Sequence, residues 1–161
     1  LGPLDFPQLI EFGIQLCVAC GRHVILRPAG QRRRADVVFI GVGRGELMPY
    51  GSYYLTGFLH ERPLARLRED LARLEIERAE NNAEPEDHIA ILCEIMAGVA
   101  GRRFPTPEGT ERDLFVKHLA PWAPRFFADL ERADEADFYR RVGTLGRVLM
   151  EIETEAFALP V

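Results

Sequence analysis

Hydrophobic residues in the C-terminal two-thirds of the chain recur every three or four positions, which is the spacing of an amphipathic helix. Between Glu61 and Glu77 this repeat predicts one helix, with Pro63 in its first turn, where a missing N–H is tolerated. The positions predicted to be buried are Leu64, Leu67, Leu71 and Leu74, and those predicted to face water are Arg66, Arg68, Glu69, Asp70 and Arg73.

Prolines mark the starts of two further predicted helices. The first begins at Pro85, so that Glu86 and Asp87 lie in its first turn, where the helix dipole favours negative charge. The second begins near Thr106, and Pro121 breaks it or starts its successor. The predicted apolar faces comprise Ile89, Leu92, Cys93, Met96 and Val99, then Leu114, Phe115, His118 and Leu119, and finally Trp122, Phe126, Phe127 and Leu130.

The last predicted helix runs from about Asp134 to Ala158. Its apolar residues alternate spacings of four and three, a repeat that indicates a partner helix packed along its whole length. These residues are Phe138, Val142, Leu145, Leu149, Ile152 and Ala156.

The N-terminal third has weaker patterns. Phe6–Ala19 is compatible with an amphipathic helix, and the polar stretch Arg22–Arg34 is interpreted as a loop. Val37–Ile40 is rich in β-branched residues, but a lone strand cannot satisfy its backbone, so a short helix or packed turn is favoured. The sequence therefore predicts an all-α, single-domain helical bundle at residues 36–161, preceded by a divergent or truncated segment at residues 1–35.

Composition narrows the class of protein. Hydrophobic residues make up 47% and charged residues 28%, and the net charge of −5 argues against a nucleic-acid partner. Three cysteines are too few for a disulfide framework, no apolar run is long enough to span a membrane, and Leu1–Cys20 lacks the features of a secretory signal. We therefore expect a cytoplasmic protein without stable membrane insertion.

Two short motifs carry little weight. Gly41–Gly45 invites a dinucleotide-binding interpretation, but Glu46 stands where the fingerprint needs glycine. Cys17 and Cys20 have the spacing of a zinc or redox pair, yet no second ligand pair follows at a related distance. We predict neither a metal site nor a cofactor.

The stretch from Glu84 to His88 is the richest in chemistry, with three carboxylates and an imidazole in five residues. Asp87 could hold His88 in one tautomer, as in a hydrolase, or the two could bind a metal together with His118, although no nucleophile motif accompanies them. Alternatively, Glu86 and Asp87 could accept hydrogen bonds from a guanidinium, or the charges could only cap a helix.

A second dense stretch, Gly45–Leu55, places three tyrosines within five residues. Tyrosines supply rigid contact surface with polar tips, which is typical of binding surfaces. Ser52 is predicted to be the N-cap of a short helix, Tyr53–Leu59, and the alternative is an ordered loop packed on the core.

Three segments together resemble the TorD/DmsD/NarJ family of chaperones, over residues 36–158. Pro49-x-x-Ser52-x-Tyr54-Leu55 resembles the family's loop-to-helix segment, and Glu84-Pro85-Glu86-Asp87-His88 resembles its E-P-x-D-H signature. His118-Leu119-Ala120-Pro121-Trp122 resembles its H-x-x-P-W segment. The branch associated with formate dehydrogenase is the most similar, whereas residues 1–35 depart from the family's usual N-terminal helices.

The resemblance implies an all-α protein that is not an enzyme and has no cofactor of its own. Its partner would be a molybdoenzyme precursor, bound through the twin-arginine signal peptide or the enzyme body until the molybdenum cofactor is inserted. A homodimer, including a domain-swapped one, stays open, as does a generic helical adaptor without signal-peptide specificity. The predicted client-binding residues are Glu84, Pro85, Glu86, Asp87, His88, Pro49, Ser52, Tyr54, His118 and Trp122.

Overall fold

The computed structural model describes residues 47–77, 84–133 and 137–159. All regular secondary structure within these ranges is helical, which confirms the all-α prediction for this part of the chain. The predictions for Phe6–Ala19, Cys17, Cys20, Val37–Ile40 and Gly41–Gly45 lie outside the described residues. The helices are α1 (Gly51–Thr56), α2 (Arg62–Arg73), α3 (Ile89–Ala100), α4 (Thr110–Leu114), a π-helical turn (Phe115–Leu119), α5 (Ala123–Arg132) and α6 (Asp137–Ala158).

One hydrophobic core joins the helices. Trp122, Phe126 and Leu130 lie at its centre, and each is almost completely shielded from solvent. The apolar stripes predicted for α2, α3 and α5 supply further core residues, including Leu67, Leu71, Leu92, Met96, Val99 and Phe127. The helical periodicity of the sequence therefore identified the buried faces of these three helices correctly.

Helix α2 begins near the predicted position but ends four residues early, at Arg73 instead of Glu77. Glu75 adopts a left-handed conformation, with φ at 56°. The N–H of Ile76 then donates to the carbonyl of Leu71 at 3.0 Å, and the Ile76 side chain folds back into the core. The early end thus converts an expected helical turn into a cap that buries one more apolar residue.

Helix α3 also begins later than predicted. The prediction placed Pro85, Glu86 and Asp87 inside its first turn, but the helix starts at Ile89, with His88 as its N-cap. The Nδ1 atom of His88 accepts the N–H of Ala90 at 3.1 Å, which satisfies one of the free donors of the first turn. Glu86 and Asp87 are therefore outside the helix and available for other contacts.

The segment after α4 is a π-helical turn, in which the N–H of Ala120 donates to the carbonyl of Phe115 at 2.9 Å. Such turns contain one residue more than an α-helical turn and commonly occur at functional sites. The turn keeps Phe115 and Leu119 in the core while Lys117 stays on the surface. The chain then passes Pro121 and enters α5.

Helices α5 and α6 form an antiparallel hairpin, and the predicted seam of α6 is partly wrong. Ile152 and Ala156 were predicted to be buried but are exposed, whereas Gly143 and Gly146 face α5. A Cβ atom on Gly143 would lie 2.8 Å from the carbonyl oxygen of Phe127. The two backbones therefore approach too closely for larger side chains, and this rotates the buried face toward the glycines. The buried residues of α6 include Tyr139, Val142, Met150 and Glu153.

Candidate functional site

The two motif-bearing segments, residues 49–52 and 84–88, are bonded to each other; we call this pair the clasp. The N–H of Ile89 donates to the carbonyl of Pro49, and the N–H of Gly51 donates to the carbonyl of Asp87, each at 2.9 Å. The hydroxyl of Tyr50 donates to Glu84 Oε2 at 2.7 Å. Residues predicted separately to be functional therefore belong to one structural unit.

Asp87 is the central polar side chain of the clasp and is only 3% exposed. Its Oδ2 atom accepts the backbone N–H of Ser52 at 2.7 Å, so this carboxylate caps the N-terminus of α1. The prediction that Ser52 caps the helix is wrong, because α1 begins at Gly51 with Tyr50 in the cap position and Ser52 inside the helix. Neither Asp87 Oδ1 nor Ser52 Oγ has a hydrogen-bond partner within the described ranges.

His88 packs against Tyr50, and their ring centroids are 5.2 Å apart in an edge-to-face arrangement. Burial lowers the pKa of His88, although the nearby charges of Glu84 and Asp87 act in the opposite direction. A neutral imidazole suits its role, because Nδ1 must accept a hydrogen bond from Ala90. His88 is thus oriented by the start of α3, and the hydrolase interpretation in which Asp87 fixes its tautomer loses its geometric basis.

Glu86 already binds a guanidinium from its own chain. The Nε and Nη2 atoms of Arg68 each lie 2.8 Å from Glu86 Oε2. Pro85 lies between Glu84 and Glu86 and accepts the N–H of His88 through its carbonyl at 3.1 Å. An external guanidinium would have to displace Arg68 to reach Glu86.

The third predicted segment joins the clasp through aromatic contacts. The indole N–H of Trp122 donates to the carbonyl of His118 at 2.7 Å, and the ring of Trp122 lies 5.6 Å from that of Tyr54. A Cβ on Gly51 would be 3.0 Å from the Nε1 atom of Trp122, so any larger residue would require the indole or α1 to shift by a few tenths of an ångström. The hydroxyl of Tyr54 donates to Asp129 Oδ2 at 3.1 Å. Trp122 therefore acts mainly as a core residue that supports the clasp.

A cleft of about 290 Å³ opens beside the clasp. Its walls come from α1, α2, α3 and the π-helical turn, and both apolar and charged residues line it. The apolar lining includes Leu55, Leu67, Leu92 and Trp122, and the charged or polar lining comprises Arg66, Glu69, Asp70, Asp87, Lys117 and His118. Asp87, His118 and Trp122 are thus the predicted site residues that reach this cleft.

Asp70 was predicted to face water, but it lies in the cleft wall and is bonded. Its Oδ2 atom is 2.8 Å from His118 Nε2 and 3.9 Å from Lys117 Nζ. Burial alone would raise the pKa of Asp70, but the hydrogen bond with His118 and the charge of Lys117 outweigh it and lower that pKa. Asp70 is consequently an anionic group, held in position by the π-helical turn and by Arg73 of its own helix, whose guanidinium lies 2.6 Å from Oδ1.

An apolar loop borders the same cleft. Leu55 lines the cleft, and the loop from α1 to α2 continues with Phe58, which is 69% exposed, and Leu59. We call Leu55, Phe58 and Leu59 the apolar rim. Sequence reasoning missed this rim and Asp70, although three large apolar residues beside a short helix could have indicated an unburied surface.

A metal-dependent site is not supported by these positions. Asp87 contacts α1, His88 contacts α3 and His118 contacts Asp70, so the three are directed to different partners. Among the described residues, no group of three or more His, Cys, Asp or Glu side chains is arranged to hold a metal ion. Separately, none of the described helices combines the length and the apolar character needed to cross a membrane.

Several chaperones are similar to this chain in sequence. A chaperone protein TorD from Vibrio atlanticus is 26% identical over 131 residues, covering 75% of this chain and 61% of the relative. The TorD of Vibrio cholerae is 25% identical over 123 residues, covering 71% and 56%. A probable Tat proofreading chaperone DmsD from Haemophilus influenzae is 30% identical over 110 residues, covering 67% and 52%. The chain therefore spans less than two thirds of the length of these relatives.

The family model described as nitrate reductase delta subunit matches residues 32–128, which include α1 to α4, the clasp and most of α5. The relatives carry the names of chaperones and not of enzymes. The match covers more than half of the chain and includes all three segments on which the resemblance was based. The chain belongs to the nitrate reductase delta subunit family, that is, to the TorD/DmsD/NarJ family of chaperones.

Proposed function

We propose that this protein is a chaperone for a molybdoenzyme precursor, which it binds until the molybdenum cofactor is inserted and the enzyme is exported or assembled. The client segment is the twin-arginine signal peptide, and the protein performs no chemistry of its own. The observation that carries the proposal is the cleft beside the clasp, where an apolar rim occurs together with three carboxylates, exposed Glu69, half-buried Asp70 and buried Asp87. The chaperone names of the relatives support it.

The apolar rim supports binding of the hydrophobic part of such a peptide. Leu55, Phe58 and Leu59 form an exposed apolar surface that continues into the cleft lining at Leu67 and Leu92. Soluble proteins seldom leave adjoining large apolar side chains in water without a partner. A helical or extended apolar segment laid in this groove would remove the apolar rim from water.

The carboxylates support binding of the paired arginines. Glu69 and Asp70 lie on one wall of the cleft, and Asp87 on another has an Oδ1 atom without a partner in the described structure. A charge-assisted hydrogen bond to a guanidinium contributes about 1.5–3 kcal/mol. Lys117 and Arg66 also line the cleft, so a peptide must bind along the acidic side and the affinity should fall with salt.

Titration of the full chain with a twin-arginine peptide tests the proposal. We expect the Lys-Lys version of the peptide to bind about tenfold more weakly, because lysine cannot make bidentate contacts with a carboxylate. Equal affinity for both peptides would instead favour a generic helical adaptor without signal-peptide specificity. The same assay compares signal peptides of formate dehydrogenase with those of other molybdoenzymes, since a client from the formate dehydrogenase branch is the finer proposal.

Two surface variants locate the peptide. Phe58→Asp should reduce affinity through the apolar rim, and Glu69→Arg should reduce it through the cleft wall, since both side chains are exposed and neither supports the core. Leu159→Asp and Glu108→Arg are matched controls, because they make the same kinds of change at exposed positions outside the cleft lining. Loss of affinity in the controls as well as in the variants would contradict this location.

A further inference from the structure

The outer face of α6 exposes apolar side chains on the side of the helix opposite the contact with α5. Val148 is 38% exposed, Ile152 is 47% exposed, and Leu145 is half-buried. Their spacings of three and four residues place the three side chains on one stripe of the helix. Gly143 and Gly146, which contact α5, lie on the opposite side. In the described part of the chain the stripe is therefore open to solvent.

Charged side chains flank this stripe in a regular order. Arg141 lies seven residues before Val148, Glu155 lies seven residues after it, and both are exposed. Seven residues are close to two turns of an α-helix, so both charges lie on the same face as Val148. Arg147 and Glu151 pair with each other at the edge of the face and leave this order unchanged. Along the helix the face is thus positive, then apolar, then negative.

A face with this order is complementary to itself when two copies run antiparallel. We infer that the protein forms a homodimer in which the outer faces of two α6 helices pack antiparallel, with a two-fold axis at Val148. Arg141 of each copy then pairs with Glu155 of the other copy, and Ile152 covers Val148 of the opposite helix. A parallel pairing would instead place like charges side by side, which is unfavourable.

The symmetry of the pattern identifies a second copy as the partner. An unrelated protein would need only a complementary face, which does not require the two charges to be equally far from Val148. A single helix face is a small interface, so the dimer should be reversible and should depend on protein concentration. The inference does not rest on the proposed function, since none of these residues lines the cleft beside the clasp.

Sedimentation equilibrium of the full chain over a wide range of concentration tests the dimer. Arg141→Glu and Glu155→Arg each replace two attractive contacts with two repulsive ones, so each should weaken self-association about tenfold or more. An equimolar mixture of the two variants should associate as strongly as the wild type, because both ion pairs form again between unlike copies. Arg103→Glu and Glu108→Arg reverse charges at exposed positions outside α6 and should leave the association unchanged.

Oxidative cross-linking tests the register of the two helices. Val148→Cys places two thiols next to each other at the axis, so oxidation should join the copies much faster than in the wild type, whose own cysteines set the background. Ala158→Cys is the matched control, because it is exposed on the same helix but lies far from the axis. Equally fast cross-linking through both introduced cysteines would contradict the antiparallel register.

A chain that stays monomeric at every concentration would overturn the inference. Failure of the two charge-reversal variants to associate when mixed would have the same consequence. A dimer that forms equally well with Arg141→Glu alone would also overturn it, because another surface or a domain swap would then hold the copies together.

Discussion

The clasp joins its two segments with directional hydrogen bonds, whereas the α5–α6 hairpin is joined by close backbone contact. In the clasp, Asp87 and Pro49 provide acceptors for N–H groups across the junction. In the hairpin, Gly143 meets the backbone of Phe127 and Glu131, and Gly146 makes room for the ring of Phe127. The polar contacts of Glu131 with Arg147 and Thr144 lie at the edge. The clasp is therefore stabilised by hydrogen bonds, whereas the hairpin is stabilised by close packing that glycines permit because they lack side chains.

The difference shows that a polar motif can hold two segments of a chain together just as apolar packing does. Glu84, Glu86 and Asp87 bind Tyr50, Arg68 and Ser52 of the same chain. The groups that would contact the proposed client are those around the clasp, mainly the apolar rim and the cleft wall. The motif therefore positions the elements that carry the candidate binding surface, and it contributes few contact residues of its own.

The largest expected effect is in the hairpin. Gly143→Ala places a Cβ against the backbone of Phe127 and Glu131, and backbone atoms cannot move aside as a flexible side chain can. We expect a loss of about 3 kcal/mol in the free energy of unfolding, measured by urea denaturation. Alanine normally favours an exposed helix over glycine by about 1 kcal/mol, so a gain in stability would contradict the close approach. Glu155→Ala, an exposed change on the same helix, serves as the control.

An intermediate effect is expected in the clasp. Asp87→Ala removes the acceptor for Ser52 N–H and leaves a buried donor unpaired, so we expect a loss of about 2 kcal/mol in the free energy of unfolding. Asp87→Asn keeps an acceptor oxygen and should lose less. Glu86→Ala breaks a partly exposed ion pair with Arg68 and should lose less than about 1 kcal/mol. Equal losses for Asp87→Ala and Glu86→Ala would refute the capping role of Asp87.

The smallest effect is a pH dependence within the clasp. Because the pKa of His88 is lower in the folded protein than its usual value of 6.5, the unfolded chain binds more protons as the pH falls below that value. The contribution of His88 to stability is therefore complete above pH 6.5 and is lost as the pH falls through the lowered pKa.

His88→Asn isolates this contribution, since asparagine can cap α3 but does not titrate. Between about pH 7.5 and 5.5, the variant should lose less free energy of unfolding than the wild-type protein, by less than about 1 kcal/mol. His60→Asn, at an exposed histidine, should behave like the wild type. An unchanged pH dependence in His88→Asn would show that another group titrates in this range.

The sequence predicted the helices well because their buried faces repeat with the helical period. Leu64, Leu67 and Leu71 in α2, and Phe126 and Leu130 in α5, are buried as that period requires. Two helix ends were misplaced for local reasons: Glu75 takes a left-handed conformation, and a histidine caps α3 where a proline start was expected. Neither feature changes the periodic pattern of hydrophobic residues from which the helices were predicted.

The sequence suggested which segments belong together, but not the contacts that join them. The resemblance brought together Pro49, Ser52, Asp87 and Trp122, and the structure places all four in or against the clasp. The pairing of Asp70 with His118 joins residues 48 positions apart through a π-helical turn, which no local pattern reveals. The predicted buried face of α6 was partly wrong for a similar reason. Glycines permit the closest contact between helices but add no hydrophobicity to a periodic pattern.

The π-helical turn has one more consequence. An α-helix advances by about 100° per residue, so a turn with one residue in excess changes the angle between everything before it and everything after it. Within this turn Phe115 and Leu119 stay in the core, and Lys117 and His118, which lie between them, are directed toward Asp70. The orientation of the cleft wall formed by this turn therefore depends on the number of residues in the turn as well as on their side chains.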